Sequence, residues 1–263
     1  MTSLATNALA IGYATRTLAE NLSFTLRAGE AMAILGPNGS GKTTLFRTLL
    51  GLLPPRAGSV SLDGKDIAAL APGQMARQVG YVPQAATGFF NFTVREVVEM
   101  ARAPHLAWYA TPGTRDSAIA EQALVELNLS AFAARQFAEL SGGERQLVMI
   151  ARALASEASI LLLDEPTASL DYGNQFLILD EIAKLKARGV AILFTTHDPN
   201  QAFRVCSQPA DRTLTISRDG AVSIGSTDQI LTGDRLSSLY GQPIELITSP
   251  SGTITSVAAT RRS

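Results

Sequence analysis

A chain of 263 residues that is 46% hydrophobic can bury one large core or two modest ones, which sets it among soluble globular proteins. Twenty-two basic residues against 23 acidic ones leave a formal net charge of −1, which speaks against a strongly basic surface, so no nucleic-acid partner is expected. The single cysteine, Cys206, cannot form an intramolecular disulfide, and no cysteine and histidine cluster has zinc spacing; both fit a reducing cytoplasm, with Cys206 as inert packing. The start, MTSLATNALAIGY, lacks the basic and long apolar parts of a signal peptide, so the chain is expected to stay where it is made. The longest apolar runs, 160–163 and 190–194, fall far short of the roughly 20 residues of a membrane helix. Membrane association is therefore expected only through a partner.

In chain order, residues 1–30 alternate apolar and polar positions around turn signals, and Val60 and Leu62 before Asp63-Gly64 read as a hairpin arm. These predict an antiparallel β layer. From Ala31 the strands become continuously apolar: AMAIL, SILLLDE and VAILFTT. The last two are separated by a helical stretch with Ile178, Ile182 and Leu185 that stops at Gly189, which predicts a parallel sheet in an α/β core. Residues 86–155 break that alternation and read as a mainly helical subdomain. Thr93 and Glu96 form a capping box before Val97, Val98 and Met100, and Ile119, Ala123 and Leu127 share a second helical face. After about Gln208 come short strand-like pieces with Gly220 and Gly225, then a weak helix. The division expected is one domain over 1–245, with a strand and a polar tail over 246–263; there is no internal repeat, coiled coil or low-complexity block.

The stretch LSGGERQ, 140–146, looks like another helix start, with Ser141 and Glu144 as a capping box before Leu147, Ile150, Ala151 and Leu154. Yet Gly142 and Gly143 each cost a helix roughly 0.8 to 1.0 kcal/mol relative to alanine, so a helix built only to pack would gain by replacing them. Something must approach this helix end closely. The strand AMAIL is followed by GPNGSGKTT and then Leu45, Leu49 and Leu50 on a helix, matching G-x-x-x-x-G-K-[ST] in its strand, loop, helix context. In this loop of Gly36, Pro37, Asn38, Gly39, Ser40, Gly41, Lys42, Thr43 and Thr44, the glycines let backbone amides face phosphate oxygens. Lys42 is placed to reach the β and γ phosphates, and Thr43 to ligate Mg2+. Asp164 and Glu165 end the strand ILLL, where adjacent carboxylates face different ways: one can hold the metal shell while the other meets an attacking water. His197 ends the strand FTT on the sheet edge where α/β proteins bind ligands, whereas His105, in APHLAWY, is structural or at an interface.

Together these residues resemble the nucleotide-binding subunit of ATP-binding cassette (ABC) transporters. Tyr13 falls where such proteins stack a ring on adenine, Gln84 in YVPQ matches the Q-loop, and LSGGERQ matches the signature motif. ILLLDEP matches Walker B, SLD at 169–171 the D-loop and TTHD the H-loop. The resemblance implies a P-loop NTPase core with a mainly parallel sheet, an N-terminal antiparallel β layer and a helical subdomain. It also implies a head-to-tail homodimer in which Ser141, Gly142, Gly143 and Asp171 of one subunit complete the ATP site built by residues 36–44 of the other. Thr43, Gln84 and Asp164 would then arrange the Mg2+ shell, Glu165 would act as general base, and His197 would hold the γ phosphate.

FTVREVVEMARAPHL, SLDYGNQ, FTTHDPNQA and LYGQPIELI further resemble the subfamily that imports iron chelates, haem, cobalamin and molybdate. That implies two copies of a separate membrane permease, an extracytoplasmic solute-binding protein reached through it, and a place on the cytoplasmic face of the cell membrane. The segment 85–109 is expected to meet the permease, with Phe89, Phe90, Phe92 and Trp108 either lining a groove for a partner helix or closing the small helical core. A soluble ABC ATPase, or an ATP-binding regulator not coupled to transport, is the alternative reading.

Overall fold

The computed structural model describes residues 2–84, 89, 91–107, 110–168, 170–248 and 254–259. Alternating burial near the start pairs β1 (Ser3–Tyr13) with β2 (Arg16–Arg27) antiparallel, so that Leu4, Leu9, Ile11, Leu22 and Leu26 enter one core. The chain then leaves this layer for β3 (Ala31–Leu35), whose five residues are all buried, and α1 (Lys42–Leu49). It returns as β4 (Ala57–Leu62) and β5 (Lys65–Asp66), giving the order β2-β1-β4-β5. Asp63 and Gly64 both take positive φ, 53° and 76°, the combination a tight two-residue hairpin turn requires.

After α2 (Pro72–Gln78) come β6 (Val79–Val82), the helices α3 (Val94–Glu99), α4 (Thr114–Glu126) and α5 (Gly142–Ala155), then β7 (Ile160–Leu163). Next are α6 (Tyr172–Ala187), β8 (Ala191–Thr196), α7 (Pro199–Val205), β9 (Arg212–Ile216) and β10 (Val222–Gly225). The central sheet runs β10-β9-β3-β8-β7-β6, parallel throughout except for β10. Burial on both faces explains why its strands read as continuous apolar runs. Met32, Ile34, Ile160, Leu162 and Leu193 pack toward α1 and the antiparallel layer, while Ala33, Leu35, Leu161, Leu163 and Phe194 pack toward the helices on the other side. This is a mixed α/β fold, a mainly parallel central sheet with an antiparallel layer on one side and helices on the other.

Both capping boxes form. Thr93 and Ser141 accept from the amides of Glu96 and Glu144, and those carboxylates accept in return from the Thr93 and Ser141 amides at 2.7 Å each. The helices between them are tied by Arg102, buried, which donates to Asp116 at 3.0 Å, to Glu157 at 2.9 Å and to the Ala155 carbonyl at 2.8 Å. The His105 ring donates from Nε2 to the Ser156 carbonyl at 2.9 Å, a structural tie. Lys186 in α6 and Asp211, just before β9, form a buried ion pair at 2.7 Å. Asp211 also accepts from the Ala31 amide, so the pair joins a helix to the start of the central strand.

The end of the chain forms a hairpin. α8 (Thr227–Ile230) and α9 (Gly233–Tyr240) lead into β11 (Ile244–Thr248), which pairs antiparallel with β12 (Ile254–Ala259). The hairpin is seated against α7, where the Val257 amide donates to Asn200 Oδ1 at 2.8 Å. Apolar packing seats it as well, since Ile244, Leu246 and Val257 lie against the core. Among the described residues no helix is long and apolar enough to cross a membrane.

Candidate functional site

Parallel pairing brings the carboxyl ends of β3, β7 and β8 to one edge of the sheet, and each of the three strands ends in residues of the predicted site. Gly39 and Gly41 sit at φ 81° and 106°, a region where a side chain would be strained, and Gly41 caps α1 with no side-chain partner and no acid in the first turn. The first amides of α1 therefore remain free for an anion. The Ser40 hydroxyl in the same loop is buried with no hydrogen-bond partner, as fits a loop built to meet an acceptor from outside. Tyr13 is 48% exposed, and its hydroxyl lies 3.3 Å from Thr44 Oγ1, which puts an open aromatic face beside the loop. Arg56 donates to the Tyr13 and Ala14 carbonyls and holds that turn in place.

Lys42 is buried. Its ammonium donates to the Gly36 carbonyl at 2.8 Å and the Pro37 carbonyl at 3.4 Å, and lies 3.6 Å from Glu165 Oε1. Burial lowers its pKa from the usual value, and the Glu165 carboxylate opposes that shift. Glu165 meets three groups: Lys42, Gln84 donating from Nε2 to Oε2 at 3.2 Å, and His197 with Nδ1 at 3.4 Å from Oε2. The bond to His197 first, then the Lys42 charge, hold the Glu165 carboxyl below its ordinary value against the opposing effect of burial. The same bond raises the pKa of His197. Glu165 itself sits at φ 46°, in the left-handed region, a conformation that costs a non-glycine residue about 1–3 kcal/mol and persists only where neighbours hold it.

The neighbour that holds it is a residue to which no sequence motif assigns a role. Thr195 accepts from the Glu165 amide at 2.8 Å and donates to Asp164 Oδ1 at 2.6 Å, while Thr43 donates to Asp164 Oδ2 at 2.8 Å. Two hydroxyls thus fix both oxygens of a carboxylate that is 2% exposed. The signal was a threonine pair closing an otherwise apolar strand. Tyr81 adds to this environment: burial first, then the Asp164 charge, push its hydroxyl up to about 12, so it stays protonated.

Among the described residues no group of three or more His, Cys, Asp or Glu side chains could hold a metal ion. Asp164 with the Thr43 hydroxyl instead forms a sparse oxygen set, as suits Mg2+, which takes one or two carboxylates and completes its shell with phosphates and water. Tyr13, residues 36–44, Gln84, Asp164, Glu165 and His197 thus lie along one edge. Ser141, Gly142 and Gly143 do not join them: among the described residues no hydrogen bond or ion pair links them to the 36–44 loop, and Ser141 and Gly142 are exposed. Asp171 is also exposed, with its carboxylate capping α6 through the amide and side chain of Asn174 at 2.8 and 2.9 Å. Ser169 lies outside the described residues.

A phosphate-cradling loop, a buried lysine and two adjacent strand-end carboxylates define a nucleotide-hydrolysing P-loop protein. The ABC transporter family model matches residues 19–168, and the chain belongs to that family as an ATPase subunit. It is 40% identical to an uncharacterized ABC transporter ATP-binding protein of Haemophilus influenzae, over 93% of this chain and 91% of that one. It is 38% identical to the molybdate import ATP-binding protein MolC of the same organism, over 86% of this chain and 83% of that one. The cobalamin import ATP-binding protein BtuD of Halobacterium salinarum is 39% identical over 88% of this chain, which spans only 57% of that longer relative. Among solved structures, an ABC transporter assigned to the metal-chelate type, in an inward-facing conformation, superposes with a TM-score of 0.86 at 33% identity, covering 100% of this chain and 99% of that one. A bacterial ABC transporter cassette solved as a dimer superposes with a TM-score of 0.74 at 26% identity, over 85% of this chain and 98% of that one.

Proposed function

We propose that this chain hydrolyses ATP at the Glu165 edge to drive uptake of a metal chelate or related solute, of the iron-siderophore, haem, cobalamin or molybdate type, through a separate membrane permease. The observation that carries the hydrolytic part is the convergence of Lys42, Gln84 and His197 on the Glu165 carboxylate. Glu165, held ionised, polarises the attacking water. Lys42 and the 36–44 amides neutralise the phosphates, and Tyr13 stacks on the adenine. His197 orients the γ phosphate. Thr43, Asp164 and Gln84 would hold Mg2+, which when bound supplies positive charge to the β and γ oxygens.

The exposed Ser141 and Gly142 support assembly in trans: two copies pair head to tail, and Ser141, Gly142, Gly143 and Asp171 of one reach the loop of the other. Two permease copies and an extracytoplasmic solute-binding protein complete the machine, which places the dimer on the cytoplasmic face of the membrane. For the permease contact the aromatics divide. Phe89 stacks edge-on against buried Phe137 with ring centres 5.4 Å apart and belongs to the helical core, whereas Phe92 is 40% exposed and free to meet a partner; Phe90 and Trp108 lie outside the described residues. The test is transport. Vesicles carrying the chain with its co-purified membrane subunits, supplied with a solute-binding protein, should accumulate one of these solutes with ATP and lose that uptake with Glu165→Gln. A complex that hydrolyses ATP yet moves none of them overturns the import reading.

A further inference from the structure

The LYGQP stretch near the end of the chain has no part in the site described so far, yet it reaches it. α9 ends at Tyr240 because Gly241 takes a left-handed φ of 68°, and the Tyr240 hydroxyl donates to the His197 carbonyl at 3.1 Å. The His197 side chain itself is 60% exposed, so little packing aims its ring. Its direction depends on the backbone of residues 196–201. That backbone is gripped from two sides. On the inner side Thr196 accepts from the Asp198 amide at 3.0 Å and donates to Gln201 at 2.8 Å. On the outer side the β11–β12 hairpin binds Asn200, whose own amide and side chain bond to Asp198 at 2.9 Å each.

We infer that Tyr240 is a positioning residue for His197, and that the C-terminal unit of α9, β11 and β12 serves as a brace that keeps the imidazole turned toward Glu165. The inference rests on the reading that His197 acts in hydrolysis. The charged groups facing His197 are Glu165 from the end of β7, Lys42 from α1 and Asp198 beside it, with Tyr240 opposite. Of these, Tyr240 is the one whose side chain hydrogen-bonds the histidine backbone. Burial, with the charges of Asp198 and Glu165, raises the pKa of the Tyr240 hydroxyl well above the usual tyrosine value, so it remains a donor across the working range.

Tyr240→Phe keeps the ring in its packing and removes only the donor. In the full chain, turnover should fall by about 2- to 10-fold, the range of one neutral hydrogen bond, while the KM for ATP stays at its wild-type value and the melting temperature falls by no more than the loss of one such bond explains. The protein has just two histidines, so imidazole NMR separates them: the His197 signals should move in the variant while those of His105 stay. Unmoved His197 signals overturn the inference whatever the turnover, and so does a loss of turnover in which the His105 signals move as well. Moved His197 signals with normal turnover uphold the brace and instead remove His197 from the hydrolytic reading above.

Discussion

The His197–Glu165 contact makes the site sensitive to pH in a direction fixed by its two partners. His197 is held above its ordinary 6.5, so its contribution is complete below that pH and is lost as pH rises through the raised value. Glu165 is held below its ordinary 4.5, so its contribution is complete above that pH and is lost as pH falls through the lowered value. The pair is at full strength between pH 4.5 and 6.5. An NMR titration should therefore find His197 with a midpoint above 6.5 that drops in Glu165→Gln; a midpoint unmoved by that substitution removes the pairing. At this scale the sequence was legible where chemistry is local. Gly36 to Thr44 is a short run whose spacing points to a phosphate cradle, and the Asp164, Glu165 pair, a weak signal alone, gains its meaning beside that run. Thr195 and Tyr240 were not legible, because each acts on a group 30 or 43 residues away that only the fold brings near.

Among the elements, the parallel strands were readable because burial on both faces leaves no polar position to interrupt them. The ties between elements were not. Lys186 lies in a helix that reads as amphipathic, and Asp211 in a loop, yet their pair at 2.7 Å joins α6 to the base of β3 and β9. Removing one partner strands the other charge in the core, so Lys186→Met should cost about 3–5 kcal/mol in urea denaturation. A loss within 1 kcal/mol would show that water reaches Asp211. The same limit applied to the C-terminal hairpin, where the bond between Val257 and Asn200 adds to the packing of Ile244, Leu246 and Val257 against the core. The capping boxes show the opposite case: both partners lie three residues apart, and both boxes formed as read.

Across the whole molecule, the amino-terminal end of α5 is exposed at Ser141 and Gly142. If Ser141, Gly142 and Gly143 complete the site of a second copy, a tagged chain carrying Ser141→Cys and Lys42→Ala should be labelled by a thiol-reactive γ-phosphate ATP analogue only when mixed with an untagged chain whose loop is intact. Labelling that requires Lys42 in the same chain would place the contact in cis. The most direct measurement of the central claim is the steady-state ATP hydrolysis rate of Glu165→Gln beside wild type, with ATP binding and sedimentation followed in parallel. Loss of a general base predicts a fall in turnover of roughly 10² to 10⁴-fold, with ATP retained and a more persistent dimer in its presence. Near-normal turnover by Glu165→Gln would contradict the account, since Lys42, Gln84 and His197 would then converge on a carboxylate that the reaction does not need.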